Sequence, residues 1–173
     1  MNTYYTIDEK YLQAVDKLSY GRTPKALQLL NEIVSNDPLY AKAHYQLGKI
    51  YYYDLEDYQV AGYHFKTCME LEPVFPGNYY HYLNLAVFLN MQKLVKAIAE
   101  KALVVPGVDV ADIYELVGLS AEKNKELEKA LAAYNNAFDT VTNKTDKRKI
   151  EESIERINAK MQRVKAYQYT LVE

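Results

Sequence analysis

Three histidines, His44, His64 and His81, and a single cysteine, Cys68, are the side chains of this sequence best suited to metal or nucleophilic chemistry. A zinc site needs three or four such ligands converging from characteristic intervals, and these histidines follow no metal-ligand spacing. One cysteine excludes an intramolecular disulfide framework and a cysteine-based zinc site. Neither a phosphate-cradling glycine loop nor a nucleophile elbow is present. Asp54, Glu56 and Asp57 could pair for acid–base work, but they cluster between apolar segments, where a solvated turn is expected. Lys147-Arg148-Lys149 is followed at once by Glu151-Glu152, the pattern of a solvated helix face and not of a phosphate track. The expectation is a protein that is not an enzyme, with no catalytic residues, no metal and no cofactor.

The chemistry that remains is recognition by aromatic rings. The 173 residues include 18 Tyr and 4 Phe but no Trp. Tyrosine offers a large contact area, few rotatable bonds and one polar tip, which suits it to binding surfaces. The length is that of one domain. Apolar residues make up 49% and charged residues 25%, ordinary globular proportions, and the net charge of -2 argues against nucleic acid or an anionic membrane surface as partner. Six Gly and five Pro are few for an all-β chain. Met1-Asn2-Thr3-Tyr4-Tyr5-Thr6 shows no secretory signal, and no apolar run is long enough to span a membrane, so a cytoplasmic protein is expected.

The tyrosines must be positioned by something, and a repeat supplies it. Segment 44–73 reads His44-x2-Leu47-Gly48-x2-Tyr51, then Ala61-x3-Phe65, Cys68 and Pro73. The spacing recurs at Tyr114-x2-Val117-Gly118-x2-Ala121, Ala130-x3-Tyr134 and Ala137. The offset of 69 to 70 residues between the two copies equals two periods of about 35. An earlier copy is marked by Ala14, Ala26, Leu30 and Pro38, and a middle copy by Ala99 and Ala102. The small-residue position of the middle copy falls on Leu83 by period, or on Leu85-Ala86 by residue type; period favours Leu83. Each unit reads as two helices. Ile7, Tyr11, Ala14, Val15 and Leu18 form an amphipathic stripe, Thr23-Pro24 a helix start, and Asp37-Pro38 a stop. The turn at Asp54–Asp57 in the second unit is one residue longer than the others.

These spacings resemble the tetratricopeptide repeat over about residues 7–142, with His44 and Tyr114 where that family commonly places Trp. The resemblance implies an all-α, right-handed solenoid of antiparallel helix pairs at about 7–40, 41–75, 76–108 and 109–142. It also implies a concave groove lined by the second, fifth, ninth and twelfth positions of each first helix. Carried onto this sequence, those positions give Tyr11, Lys42, Tyr45, Lys49, Tyr52, Tyr80 and Asn84 as a peptide-binding groove. The lysine–asparagine clamp by which some members hold a C-terminal carboxylate is absent, since Tyr11 and Val15 occupy its places. Acidic Asp112, Glu115 and Glu122 are expected to make the far end of the groove negative.

Residues 143–173 differ in character. Thr145-Asp146 can open a helix, and Ile150, Ile154, Ile157, Met161 and Val164 follow at intervals of 4, 3, 4 and 3, a heptad seam that Leu171 would extend. This segment carries net +3, against -5 for residues 1–142. Its first part is expected to cap the last repeat, while Ile157, Met161 and Val164 are candidates for pairing with another helix, including a second copy of the chain. The functional expectation is a module that binds a segment of another protein in the groove, as adaptor or assembly factor. The alternative is a structural subunit joined to its complex, or to itself, through the C-terminal helix.

Overall fold

Helix boundaries in this chain arise from turn chemistry that recurs once per repeat. A computed structural model describes the backbone of residues 6–170 and side chains as far as residue 164, so Leu171 lies outside the described residues. Among the described residues there are nine α-helices and no strand. Two compact units divide the chain, residues 1–85 and 86–173.

The first unit holds α1 (Ile7–Ser19), α2 (Thr23–Asn36), α3 (Ala41–Lys49), α4 (Tyr58–Leu71) and most of α5 (Pro76–Phe88). A capping box opens α1: Glu9 N–H donates to the Thr6 hydroxyl at 3.2 Å, and the Glu9 carboxylate accepts from Thr6 N–H at 2.7 Å. Its end is a glycine turn, with Gly21 at φ +66° and Arg22 N–H reaching back to the Lys17 carbonyl at 2.8 Å. The cap of α2 is Arg22, which has no side-chain cap bond, so Thr23 and Pro24 stand one position further into the helix than their types suggested.

The extra residue of the second repeat is not spread over its turn. It is absorbed by a π-helical turn, Ile50–Asp54, that continues α3, with Leu55 N–H bonded to the Ile50 carbonyl at 3.1 Å. The core between α1, α2 and α3 is Ala14, Leu30, Ile33, Ala43, Leu47 and Ile50, with Ile7, Tyr11, Leu18 and Tyr51 packed against it. Where α3 meets α4 the helices approach so closely that a Cβ on Gly48 would stand 2.5 Å from a carbon of the Phe65 ring. Glycine there makes room for the aromatic ring, and burying such a ring stabilises by roughly 1.5–3 kcal/mol.

The second unit holds the end of α5, then α6 (Gln92–Ala102), α7 (Val110–Lys123), α8 (Leu127–Thr140) and α9 (Lys144–Thr170). Gly118 repeats the arrangement of Gly48, since a Cβ there would stand 2.7 Å from the Tyr134 ring. The helix ends decide the register of the middle copy. With α6 opening after Met91, Val95, Ala99 and Ala102 take the places that Ala61, Phe65 and Cys68 hold in α4, and Leu83 takes that of Gly48. The bulky and small residues have exchanged helices in this copy. The start of α9 is capped by Asn143, which accepts from Asp146 N–H at 2.8 Å, and not by Thr145-Asp146. Ile150 and Ile157 are fully buried with Ala121, Ala130, Tyr134 and Ala137, so α9 covers the apolar flank of the last repeat.

Candidate protein-binding face

Within the first unit, the rings of α3, its π turn and α5 meet around one histidine. His81, on α5, lies 5.7 Å from the ring of Tyr45, 5.6 Å from Tyr53, 5.4 Å from Tyr80 and 6.3 Å from Phe65, on which it stacks. The Tyr53 hydroxyl is 2.8 Å from His81 Nδ1 and also hydrogen-bonds Asn84. Phe75 packs edge-on against Tyr45 at 5.0 Å. The Lys49 ammonium lies 4.7 Å from the centre of the Tyr45 ring. Burial, followed by the charge of Lys49, pushes His81 down to about 4, so the ring is neutral near pH 7. Burial also lowers Lys49 below the usual lysine range.

The seven groove residues expected from sequence divide into three groups. Tyr45, Lys49, Tyr80 and Asn84 come together here, and Tyr80 and Tyr53 are 39% and 48% exposed. Tyr11 is drawn into the contact between α1 and α3: its ring sits 5.5 Å from Tyr40 and its hydroxyl accepts from Gln46 at 3.2 Å. Lys42 is exposed on the same helix.

Tyr52 is half-buried, with Tyr58 and Phe65 near its ring, and burial pushes its hydroxyl up to about 12. The π turn is the cause. One inserted residue rotates the side chains after it, so Tyr53 reaches His81 and Asn84 where an unbroken helix would present Tyr52. Tyr53, Phe75 and His81 escaped sequence reasoning. The one-residue excess between Gly48 and Ala61 was the available signal for Tyr53. His81 stands one position beyond those that the resemblance marks.

The other histidines are used in packing. His44 donates from Nε2 to the Pro38 carbonyl at 3.0 Å, which leaves its Nδ1 to accept from His64 Nδ1 at 2.9 Å. Tyr51 stacks on His64 at 5.7 Å. Burial, and then His44, pushes His64 down to about 4. Cys68 is buried, and burial raises its thiol to about 12, so it is unreactive near neutral pH. Among the described residues no group of His, Cys, Asp and Glu could hold a metal ion, and no helix is long and apolar enough to cross a membrane.

In the second unit, Glu122 does not contribute free negative charge to a surface. Its carboxylate accepts from Arg156 Nε and Nη2, both at 2.9 Å, from Lys160 at 2.7 Å and from the Tyr134 hydroxyl at 2.9 Å. The Arg156 bonds first, with Lys160 and Tyr134 adding, hold it down at about 2. Asp112 and Glu115 are raised instead, by burial and then by neighbouring acids. Of the helix-pairing candidates on α9, Ile157 is fully buried inside the unit, Met161 is half-buried beside the same core, and Val164 is exposed.

This architecture is the tetratricopeptide-repeat type of fold, shared with solved structures of that kind. MamA from Desulfovibrio magneticus RS-1, from its residue 41 to the end, matches with a TM-score of 0.76 at 23% identity, over 96% of this chain and 92% of that one. A crystal structure of MamA matches at 0.78 and 20% identity, over 95% and 87% of the two chains. PilW, a widely conserved type IV pilus biogenesis factor, matches at 0.66 and 19% identity, over 77% of this chain and 61% of PilW. At such identities the likeness is one of fold. No protein-family model and no curated protein matches the sequence.

Proposed function

We propose that the protein is a non-catalytic interaction module whose α3–α5 face binds a segment of another protein, in the role of an adaptor or assembly factor. The observation that carries this reading is the cluster of Tyr45, Tyr53, Tyr80 and His81 on the first helices of two successive repeats, with two of the tyrosines well exposed. Aromatic rings ending in polar atoms suit an extended peptide, whose apolar side chains lie on the rings while Asn84 and the hydroxyls meet its backbone. The similarity in fold to PilW, a biogenesis factor, agrees with assembly work. A cytoplasmic location belongs to the same reading.

The second reading is a subunit held in a complex, or in a homodimer, through α9. Exposed Val164 beside half-buried Met161 favours it. Photo-crosslinking in the native cell separates the two. A benzophenone side chain at Tyr80 should capture one protein segment, and Tyr45→Ala should abolish the capture without changing helicity. Capture from Val164 alone, insensitive to Tyr45→Ala, would assign binding to α9 and refute the first reading.

A further inference from the structure

We propose that the α3–α5 face selects an acidic segment of its partner, with a carboxylate lodged at the Lys49 ammonium and an apolar neighbour lying on the surrounding rings. The inference rests on the reading of this face as protein-binding and names the chemistry it prefers. Lys49 is half-buried with its ammonium on the face of the Tyr45 ring, and among the described residues it makes no ion pair. The other half-buried lysines among the described residues have carboxylates: Lys10 meets Glu32 at 3.6 Å and Lys17 meets Asp16 at 3.2 Å. A partly desolvated ammonium set on a ring face, with no carboxylate beside it, is incompletely compensated, and an incoming carboxylate would form a charge-assisted hydrogen bond with it.

The surroundings point the same way. Neither Ala41–Lys49 nor Pro76–Phe88 contains an acidic residue, and the π turn between them carries one, the exposed Asp54 at its end. Residues 1–85 as a whole carry seven basic and ten acidic side chains, so a basic, aromatic face stands out on an acidic unit. Exposed Lys42, seven residues before Lys49, lies on the same side of α3 and adds a second positive charge at the rim. Neutral His81 lies near the ammonium without adding charge, and the Tyr53 hydroxyl bonded to it offers a further polar atom on the same face. Two lysines, Lys42 and Lys49, suffice for one or two carboxylates but are few for a polyanion such as single-stranded nucleic acid, which could otherwise stack on the same rings.

The test is selection of a random-peptide display library on the full chain, on Tyr45→Ala and on Lys49→Glu. Peptides enriched on the parent should carry Asp or Glu beside an aliphatic or aromatic residue, and Lys49→Glu should turn the enrichment toward Lys and Arg. By fluorescence anisotropy, Lys49→Gln should weaken the best acidic peptide at least about tenfold, the loss expected for one charge-assisted hydrogen bond. His81 should titrate at higher pH with that peptide bound, because an anion then faces it; a role for Lys49 in packing alone would not move that titration. Enriched peptides that need Tyr45 but are uncharged, or that ignore Lys49→Gln, would overturn the acidic preference and leave the protein-binding face standing. An absence of Tyr45-dependent peptides would overturn both readings. Tighter binding of a labelled oligothymidylate than of any selected peptide would replace this proposal with a nucleic-acid one. Lys49→Met, which keeps the side-chain length and removes the buried charge, should retain the parent's near-UV spectrum and so separates lost binding from lost folding.

Discussion

Gly48 and Phe65 are one packing decision written at two positions. A Cβ on Gly48 would lie 2.5 Å from the Phe65 ring, so Gly48→Ala forces the ring aside and should cost about 1–3 kcal/mol in urea denaturation. Phe65→Leu alone opens space and should also destabilise. The first repeat already uses the smaller combination, Ala14 with Leu30, both fully buried. Gly48→Ala with Phe65→Leu should therefore cost less than the sum of the single changes, and a double mutant at least as costly as that sum would show that the pairs are not interchangeable. These pairs were legible in the sequence because packing between regular helices is periodic. The binding face was legible only in part. Tyr45, Lys49, Tyr80 and Asn84 follow from the repeat, but Tyr53 and His81 do not. A π turn changes which side chain faces outward, and spacing alone records only that one residue is extra. Tyr53→Ala should accordingly reduce capture at Tyr80 more than Tyr52→Ala does, the reverse of what an unbroken α3 would predict.

At the scale of helices, the turn inside each repeat passes through a left-handed residue: Gly21, Glu56, Asn90 and Lys125, at φ of 66°, 53°, 54° and 63°. Only the first is glycine. Left-handed backbone costs an L-residue roughly 1 kcal/mol, somewhat less for Asn. Lys125→Gly and Glu56→Gly should each stabilise by about 0.5–1 kcal/mol, whereas Gly21→Ala should destabilise, all measurable as shifts in urea midpoint at constant slope. The cap helix was legible as a seam of Ile150, Ile154, Ile157 and Met161, but what fastens it was not. Glu122 reads in sequence as one more acid on α7. Its partners Arg156 and Lys160 lie 34 and 38 residues away on α9, outside the segment that the repeat spacing covers. Glu122→Gln keeps the shape and removes the charge that joins them. With Arg156 and Lys160 each 46% exposed, the loss should be about 1–3 kcal/mol and not the larger penalty of a fully buried pair. Hydrogen exchange should speed up in α9 before it does in α7.

For the molecule as a whole, the ionisable groups of the two units make opposite demands on pH. In the first unit His64 and His81 are held near 4, and His44 is lowered too, chiefly by burial. Each binds protons less readily folded than unfolded, where a histidine titrates near 6.5. For His64 and His81 the contribution is complete above that value and is lost as pH falls from about 6.5 to about 4, at up to about 1.4 kcal/mol per pH unit for each, and His44 acts in the same direction. In the second unit Glu122, held near 2, gives a contribution complete above about 4.5 that is lost only as pH falls toward 2. Asp112 and Glu115 are raised, so the folded unit takes up their protons sooner than the unfolded chain does, and mild acid relieves their repulsion. Acidification from about 6.5 to 4.5 should therefore weaken residues 1–85 while leaving residues 86–164 unchanged or slightly firmer. Amide hydrogen exchange followed by mass spectrometry, corrected for the intrinsic pH dependence of exchange, reads the two units separately. Protection should fall first in α1–α4, and His64→Gln should flatten that fall. An equal loss of protection in α7 and α8 over the same interval would show that the buried histidines do not set the acid limit of this fold.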